Sequence, residues 1–256
     1  MRLTDDAYWD RVWTGYSETP PPRARWKRFL AEVPTRTKLW REILPGFLPP
    51  APARVLELGS APGRNLLMWR DLFGYDVFGV ERSEEGLRRQ RELFARHGVG
   101  EDRTLQADCL DPAFQRAYEG SFDVAFSDGL IEHFTDPHDI VAAHMRILRA
   151  GGVAVIIVPN LLGIYRRLMP VDVVEAHNLG IMREAPFRAL FERFPLDLLF
   201  CGYYGRLNFW VAWCKHAGIQ RLIPEAQALA NLFMRLVPFP ENRWTSPYLL
   251  CVARKR

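Results

Sequence analysis

Hydrophobic positions in the middle of the chain come in short bursts, separated by stretches with helical periodicity. From Arg54 onward the bursts read RVLELG, DVFGVE, RTLQAD, FDVAFSDG and VAVIIVPN, and LDLLFCGYY and PYLLCVARK follow near the end. Helical patterns lie between them over Asn65 to Phe73 and in SEEGLRRQRELFARHG, PHDIVAAHMRILRAGG and APFRALFERF. Apolar runs bounded by turn residues and alternating with amphipathic helices predict strands buried on both faces. The expected fold is therefore α/β, a doubly wound, seven-stranded, mostly parallel sheet. The last two strands arrive without an ordinary crossover helix.

Ahead of Arg54 the pattern is helical and interrupted by breakers. Leu3, Thr4 and Tyr8 fit a hydrophobic staple around a Thr N-cap, and Trp9, Trp13 and Tyr16 then recur on one face, which reads as packing. TPPPR at Thr19 to Arg23 ends that helix, and a second amphipathic stretch from Trp26 to about Leu44 runs into PGFLPPAPA. Residues 1–53 thus read as an N-terminal helical cap on a main domain over 54–256. Insertions at about 161–184 and 205–246 break the alternation, the second just before the last strand. Each leaves the carboxyl end of a strand, where open α/β sheets bind ligands. All eight tryptophans lie outside Arg70 to Phe209, so large aromatics gather in the cap and the late insertion.

Composition narrows the classes. A chain of 256 residues, 48% hydrophobic and 25% charged, buries one substantial core. The formal charge of +4 is spread along the chain, unlike the basic stripe of a dedicated nucleic-acid binder. The basic run Arg88, Arg89, Arg91, Arg96 reads as a solvated helix face, and His138 and His144 as surface or packing residues. MRLTDDAYWD has no apolar leader and the longest aliphatic run is Val153 to Val158, so neither a secretion signal nor a membrane span is expected and the location reads as cytoplasmic. Cys109, Cys201, Cys214 and Cys251 form no C-x-x-C pair and no zinc-type spacing, which predicts reduced core thiols and no metal site.

The stretch VLELGSAPGRNL carries the first chemistry. A glycine-rich turn between strand and helix lets backbone N–H groups approach a ligand closely, and a carboxylate ending the next strand can accept hydrogen bonds from ribose hydroxyls. Glu81, closing DVFGVE, fits that role. A dinucleotide site would read G-x-G-x-x-G, whereas this turn reads E-x-G-x-A-x-G.

From Arg54 to Tyr204, plus the final strand, the sequence resembles the class I S-adenosylmethionine-dependent methyltransferases, specifically the small-molecule type 11 group. LELGSAPGRNL matches the loop that holds the methionine portion of S-adenosylmethionine, with Ala61 in place of the middle glycine. GVERSEEGL matches the ribose segment, QADCLDP the acidic segment after the third strand, FDVAFSDGLIEHFTDP the fourth-strand motif and LRAGGVAVIIVPN the fifth-strand hairpin. The resemblance implies a Rossmann-like fold and a cofactor site made by Glu57, Gly59, Ala61, Gly63, Asn65, Glu81, Arg82, Asp108, Cys109 and Ser127. Glu81 would take both ribose hydroxyls and Asp108 the adenine amino group, with Cys109 beside the ring. APG also occurs in RNA methyltransferases of the same fold, but those 5-methylcytosine enzymes carry a Pro-Cys fourth-strand motif and amino-directed nucleic-acid methylases an Asn/Asp-Pro-Pro-aromatic one, and Ser127-Asp128-Gly129 is neither.

The resemblance also implies the chemistry. S-adenosylmethionine carries an activated methyl, so the protein mainly aligns acceptor, methyl and sulfur and excludes water. For a hydroxyl or thiol acceptor a general base adds typically 10²–10⁴-fold. His133, in LIEHF directly after the fourth strand, is the first candidate, although in many relatives the Glu-His pair there organises the loop. His177, in the first insertion, reaches the acceptor or caps the helix beginning near Glu184. Trp13, Tyr203 and Tyr204 are the candidate substrate contacts. The aromatic cap and NFWVAWC favour an aromatic or apolar small-molecule acceptor, with no nucleic-acid partner. EAQALANLFMRLVPF reads as a lid helix packed on its own domain. The alternatives are an RNA-modifying methyltransferase and a non-catalytic S-adenosylmethionine-binding protein, and the oligomeric state stays open.

Overall fold

The computed structural model describes residues 1–15, 34–167, 169–207, 229–234, 237 and 240–256. Helix α1 (Asp6–Gly15) leads to α2 (Pro34–Lys38), which continues as a π-helical turn (Leu39–Ile43) and a 3-10 turn (Leu44–Gly46). The regular part then runs β1 (Arg54–Leu58), α3 (Arg64–Phe73), β2 (Asp76–Glu81), α4 (Glu84–Arg96), β3 (Thr104–Gln106), α5 (Pro112–Ala117), β4 (Phe122–Asp128), α6 (His138–Ile147) and β5 (Leu148–Pro159). Short pieces α7 (Val171–Glu175) and α8 (Glu184–Ala189) precede β6 (Leu196–Tyr204), and β7 (Tyr248–Lys255) closes the chain. The seven strands form one sheet in the order β3-β2-β1-β4-β5-β7-β6, parallel except for β7, which runs antiparallel to both neighbours. The doubly wound, mostly parallel sheet expected from the sequence is the observed fold.

The apolar bursts are buried because both faces of the sheet are covered. Successive residues point to opposite faces of a strand, so β1 sends Leu56 and Leu58 to a core shared with Ile140 of α6 and Phe187 of α8. Its Val55 joins a second core with Leu66 and Trp69 of α3 and Phe94 of α4. Trp40, in the π-helical turn, belongs to that second core and meets Trp69 edge to face with ring centroids 5.2 Å apart. The stretch just before β1 is therefore built into the domain's interior.

Several boundaries differ from the sequence reading. Asp5, not Thr4, caps α1, its carboxylate accepting from the Tyr8 N–H at 2.8 Å, while the Thr4 hydroxyl takes the Trp9 indole N–H. α6 stops at Ile147 instead of running to Gly152, because Leu148 already has extended dihedrals and starts β5. The helix expected over APFRALFERF is only the six residues of α8. Of the second cap helix, Trp26 to Val33 lie outside the described residues, as do Tyr16 and most of the 205–246 insertion. Cys201 and Cys251 are free thiols facing each other across β6 and β7, and Cys109 is free and half-buried.

Candidate cofactor cleft and the end of the fourth strand

The turn after β1 is shaped by two glycines with positive φ, Gly59 at 69° and Gly63 at 92°. A Cβ on Gly63 would stand 2.9 Å from the Phe94 ring, so the turn needs glycine there for space as well as dihedral freedom. The Ala61–Pro62 peptide between them is cis. The N–H groups of Gly59 and Ser60 both donate to the Val80 carbonyl, at 2.9 and 3.2 Å, which pins the turn to β2. Glu81 completes the link. Its Oε1 accepts from the N–H groups of Arg82 and Ser83, each at 2.8 Å, and its Oε2 accepts from the Ala61 N–H at 3.3 Å. Burial pushes this carboxyl upward, and the three backbone donors oppose the shift by favouring the anion.

Below the turn lies a polar pocket. Glu57, fully enclosed in β1, accepts from the Asn65 side chain at 2.9 Å through Oε1, while Oε2 is buried with no hydrogen-bond partner. Burial holds Glu57 well above the usual carboxylate range. Asn65 in turn accepts from Arg36 at 3.2 Å, and Arg36 lies 3.7 Å from Asp128 at the end of β4. Burial raises the Asp128 carboxyl as well, against the pull of Arg36. An orphaned acceptor beside a glycine turn fits a ligand that brings its own donor, such as the amino group of an amino-acid moiety.

The N-terminal arm crosses this cleft. Leu3 donates to the His133 carbonyl at 2.7 Å and Thr135 to that of Met1 at 2.9 Å, which aligns Arg2 against Phe134 as an antiparallel bridge. Arg2 forms an ion pair with Asp108. Although burial works against the anion, the Arg2 guanidinium and the Leu110 N–H bring Asp108 below the usual carboxylate range. α1 is fastened to the loop after β2 by Arg82–Asp6 at 2.5 Å and by the Ser83 hydroxyl donating to Asp10 at 2.6 Å. Trp9 stacks on Trp13 at 6.3 Å, and Trp13 passes over Gly86, where a Cβ would stand 2.9 Å from its ring.

Beyond Asp128 the chain makes a 3-10 turn (Ile131–His133) roofed by α1. Trp9 meets the His133 ring edge to face at 4.8 Å, and the His177 ring is tilted against it with centroids 4.4 Å apart. The Nδ1–H of His133 donates to the Ala176 carbonyl at 2.8 Å and that of His177 to the Val173 carbonyl at 2.5 Å, so each Nε2 keeps its lone pair. His177 therefore bonds within its own insertion and does not cap α8. Burial lowers both imidazoles, His133 to about 3. The neighbouring Glu132 is 1% exposed, both of its oxygens lack a hydrogen-bond partner, and burial pushes it up to about 8.

The structure thus brings Glu57, Gly59, Ala61, Gly63, Asn65, Glu81, Arg82 and Asp108 around one cleft, with Cys109 beside Asp108. Burial pushes the Cys109 thiol up to about 12. Ser127 is not part of the cleft surface. Strand alternation turns it to the opposite face, where its hydroxyl bonds His144 Nε2 at 2.9 Å, and it is the next residue, Asp128, that meets Arg36. The same alternation separates the two tyrosines. Tyr203 donates to the Met182 carbonyl at 3.2 Å, whereas Tyr204 is buried on the other face and stacks on Tyr248 at 5.4 Å. Sequence reasoning missed Arg2, Arg36, Asp128 and Glu132. The two acids lay inside the quoted fourth-strand motif without being assigned a role, and nothing in the spacing announced the arginines.

Residues 56–156, which span the glycine turn, Glu81, Asp108 and the Glu132-His133 turn, match the family model described as "Methyltransferase domain". That match identifies residues 56–156 as a methyltransferase domain. No curated protein matches the sequence. Among solved structures, the chain is similar to geranyl diphosphate C-methyltransferase from Streptomyces coelicolor A3(2), in complex with Mg2+, geranyl diphosphate and S-adenosyl-L-homocysteine. The two are 17% identical, with 98% of each chain covered and a TM-score of 0.65. It is also similar to a structure described as the conversion of a disulfide bond into a thioacetal group during echinomycin biosynthesis, at 19% identity, 98% and 93% coverage and a TM-score of 0.60. A geranyl diphosphate methyltransferase in complex with geranyl diphosphate and sinefungin is 18% identical over 86% of this chain and 77% of its own, with a TM-score of 0.58. Among the described residues no helix is long and apolar enough to cross a membrane.

Proposed function

We propose that this methyltransferase acts on a small-molecule acceptor held between the end of β4, the α1 aromatics and the first insertion. The observation that carries the reading is the state of the arginines around the cleft. Arg2, Arg36 and Arg82 each face an aspartate, respectively Asp108, Asp128 and Asp6, so the cleft offers little uncompensated positive charge to a polyphosphate chain. Tyr8 and Trp9 beside His133 supply an aromatic wall, which supports an aromatic or apolar acceptor.

In the cofactor half, Glu81 would hold the ribose, Asp108 the adenine edge, and Glu57 with the glycine turn the amino-acid end. Bound there, S-adenosylmethionine supplies an activated methyl group. The chain's own part is alignment and exclusion of water, with α1 as the roof. A base with a pKa near the working pH transfers protons best, and burial has moved His133 far below that. We therefore assign the cluster of Glu132, His133 and His177 the task of positioning the acceptor, not of removing its proton.

Isothermal titration with S-adenosylmethionine, S-adenosylhomocysteine and NAD tests the cofactor half. Micromolar binding of both sulfur nucleotides, with none of NAD, is the expected result. An acceptor screen led by aromatic metabolites then tests the other half, and methylation of RNA in place of every small acceptor would overturn the proposal.

A further inference from the structure

His177 lies more than forty positions beyond the adjacent pair Glu132 and His133 but converges on it under α1, with one carboxylate oxygen and one nitrogen of each histidine all within 4.8 Å of one another. His133 Nε2 is 3.9 Å from Glu132 Oε1. We propose that these three side chains form a site for a divalent first-row transition metal such as zinc.

Three independent features point to a cation. First, Glu132 is buried with neither oxygen hydrogen-bonded. A carboxylate in that position is destabilising unless it is neutralised or bound to a metal. Second, each histidine donates its Nδ1–H to a backbone carbonyl, Ala176 or Val173. Hydrogen bonds of this kind orient ligating imidazoles and enrich the opposite nitrogen. Third, the donor set is two imidazoles and one carboxylate, the set of open, catalytic-type zinc sites rather than of closed structural ones. Ligands about 2.1 Å from a tetrahedral ion stand about 3.4 Å apart, so closing the site requires only a modest inward movement of side chains. His177, half-buried, is the most exposed of the three. Magnesium, which prefers oxygen donors, suits this set poorly.

Three protein ligands leave a coordination position for an acceptor atom. Resting on the methyltransferase reading above, the site selects acceptors that carry a Lewis-basic oxygen, nitrogen or sulfur at or next to the methylated position.

The experiment uses the full chain after chelation and dialysis, titrated with Co2+ and followed by visible absorption, and with Zn2+ in parallel calorimetry. One cation per chain is expected, at micromolar affinity or tighter, with a d–d spectrum of mixed nitrogen and oxygen ligation. His177→Ala, the more exposed position, should weaken binding by about 100-fold or more, and Glu132→Gln by at least about 10-fold, while the surface variant His97→Ala binds as the parent does. Equal binding in the parent and His177→Ala would overturn the site, as would no binding, or displacement of Co2+ by millimolar Mg2+. Calorimetry with S-adenosylmethionine on the same samples reads the cofactor half separately, so loss of one property is not mistaken for loss of the other.

Discussion

Glu81 and Glu132 are both buried acids near the carboxyl ends of parallel strands, yet their surroundings are opposite. Glu81 collects three backbone N–H groups and ties two loops together. Glu132 collects none. The histidines divide the same way. His144, behind β4, has both nitrogens engaged by Ile140 and Ser127, while His133 and His177 each have one engaged and one lone pair left over. The saturated groups belong to the scaffold that shapes the cofactor cleft. The unsaturated ones, Glu132, His133 and His177, cluster under α1, and the half-satisfied Glu57 is their counterpart beside the glycine turn.

The largest effect comes from the saturated histidine. Burial lowers His144 to about 4 from an ordinary value near 6.5. Because the unfolded chain binds the proton more readily, the stability it contributes is complete above pH 6.5 and is lost as pH falls toward 4. The loss should amount to about 3 kcal/mol. Thermal melts across that window should show a steep decline, which His144→Asn lessens by its own share while the part due to His133, lowered further to about 3, remains. Next, Glu81→Ala should weaken S-adenosylmethionine about 10- to 100-fold in calorimetry, since hydrogen bonds to a charged group contribute about 1.5–3 kcal/mol. Unchanged affinity would break the assignment of Glu81 to the cofactor. Arg2→Ala removes a partly exposed ion pair, worth at most about 1 kcal/mol. Stopped-flow dissociation of S-adenosylhomocysteine should quicken about 5-fold or less. Smallest of all, Glu132→Gln should leave S-adenosylmethionine affinity within about 2-fold, because no hydrogen bond of Glu132 reaches the cofactor half. A large change there would erase the distinction between the two acids.

Much of this was legible in the sequence where the information is local. β6 was readable to the residue from LDLLFCGYY, and the glycine turn with Glu81 was readable because strand, turn and acid follow one another along the chain. Failures came from one-residue choices and from long-range pairing. Thr4 and Asp5 are both good caps, and only the backbone decides between them. Ser127 and Asp128 are neighbours on a strand, so an error of one position moves a side chain to the opposite face. Tyr203 and Tyr204 were grouped by position and then separated by the same rule. The convergence of His177 on His133, and of Arg36 on Asp128, depends on how loops fold back over the sheet, and no periodicity encodes that.

Trp40 has a practical consequence. The segment that matches the methyltransferase domain begins at residue 56 and ends at 156, yet the indole at position 40 and strands β6 and β7 complete the core beneath it. Excised at those limits, the segment would expose a wall of valines and aromatic rings to water and would be expected to aggregate. The stretch that matches the domain is thus smaller than the stretch that closes its core.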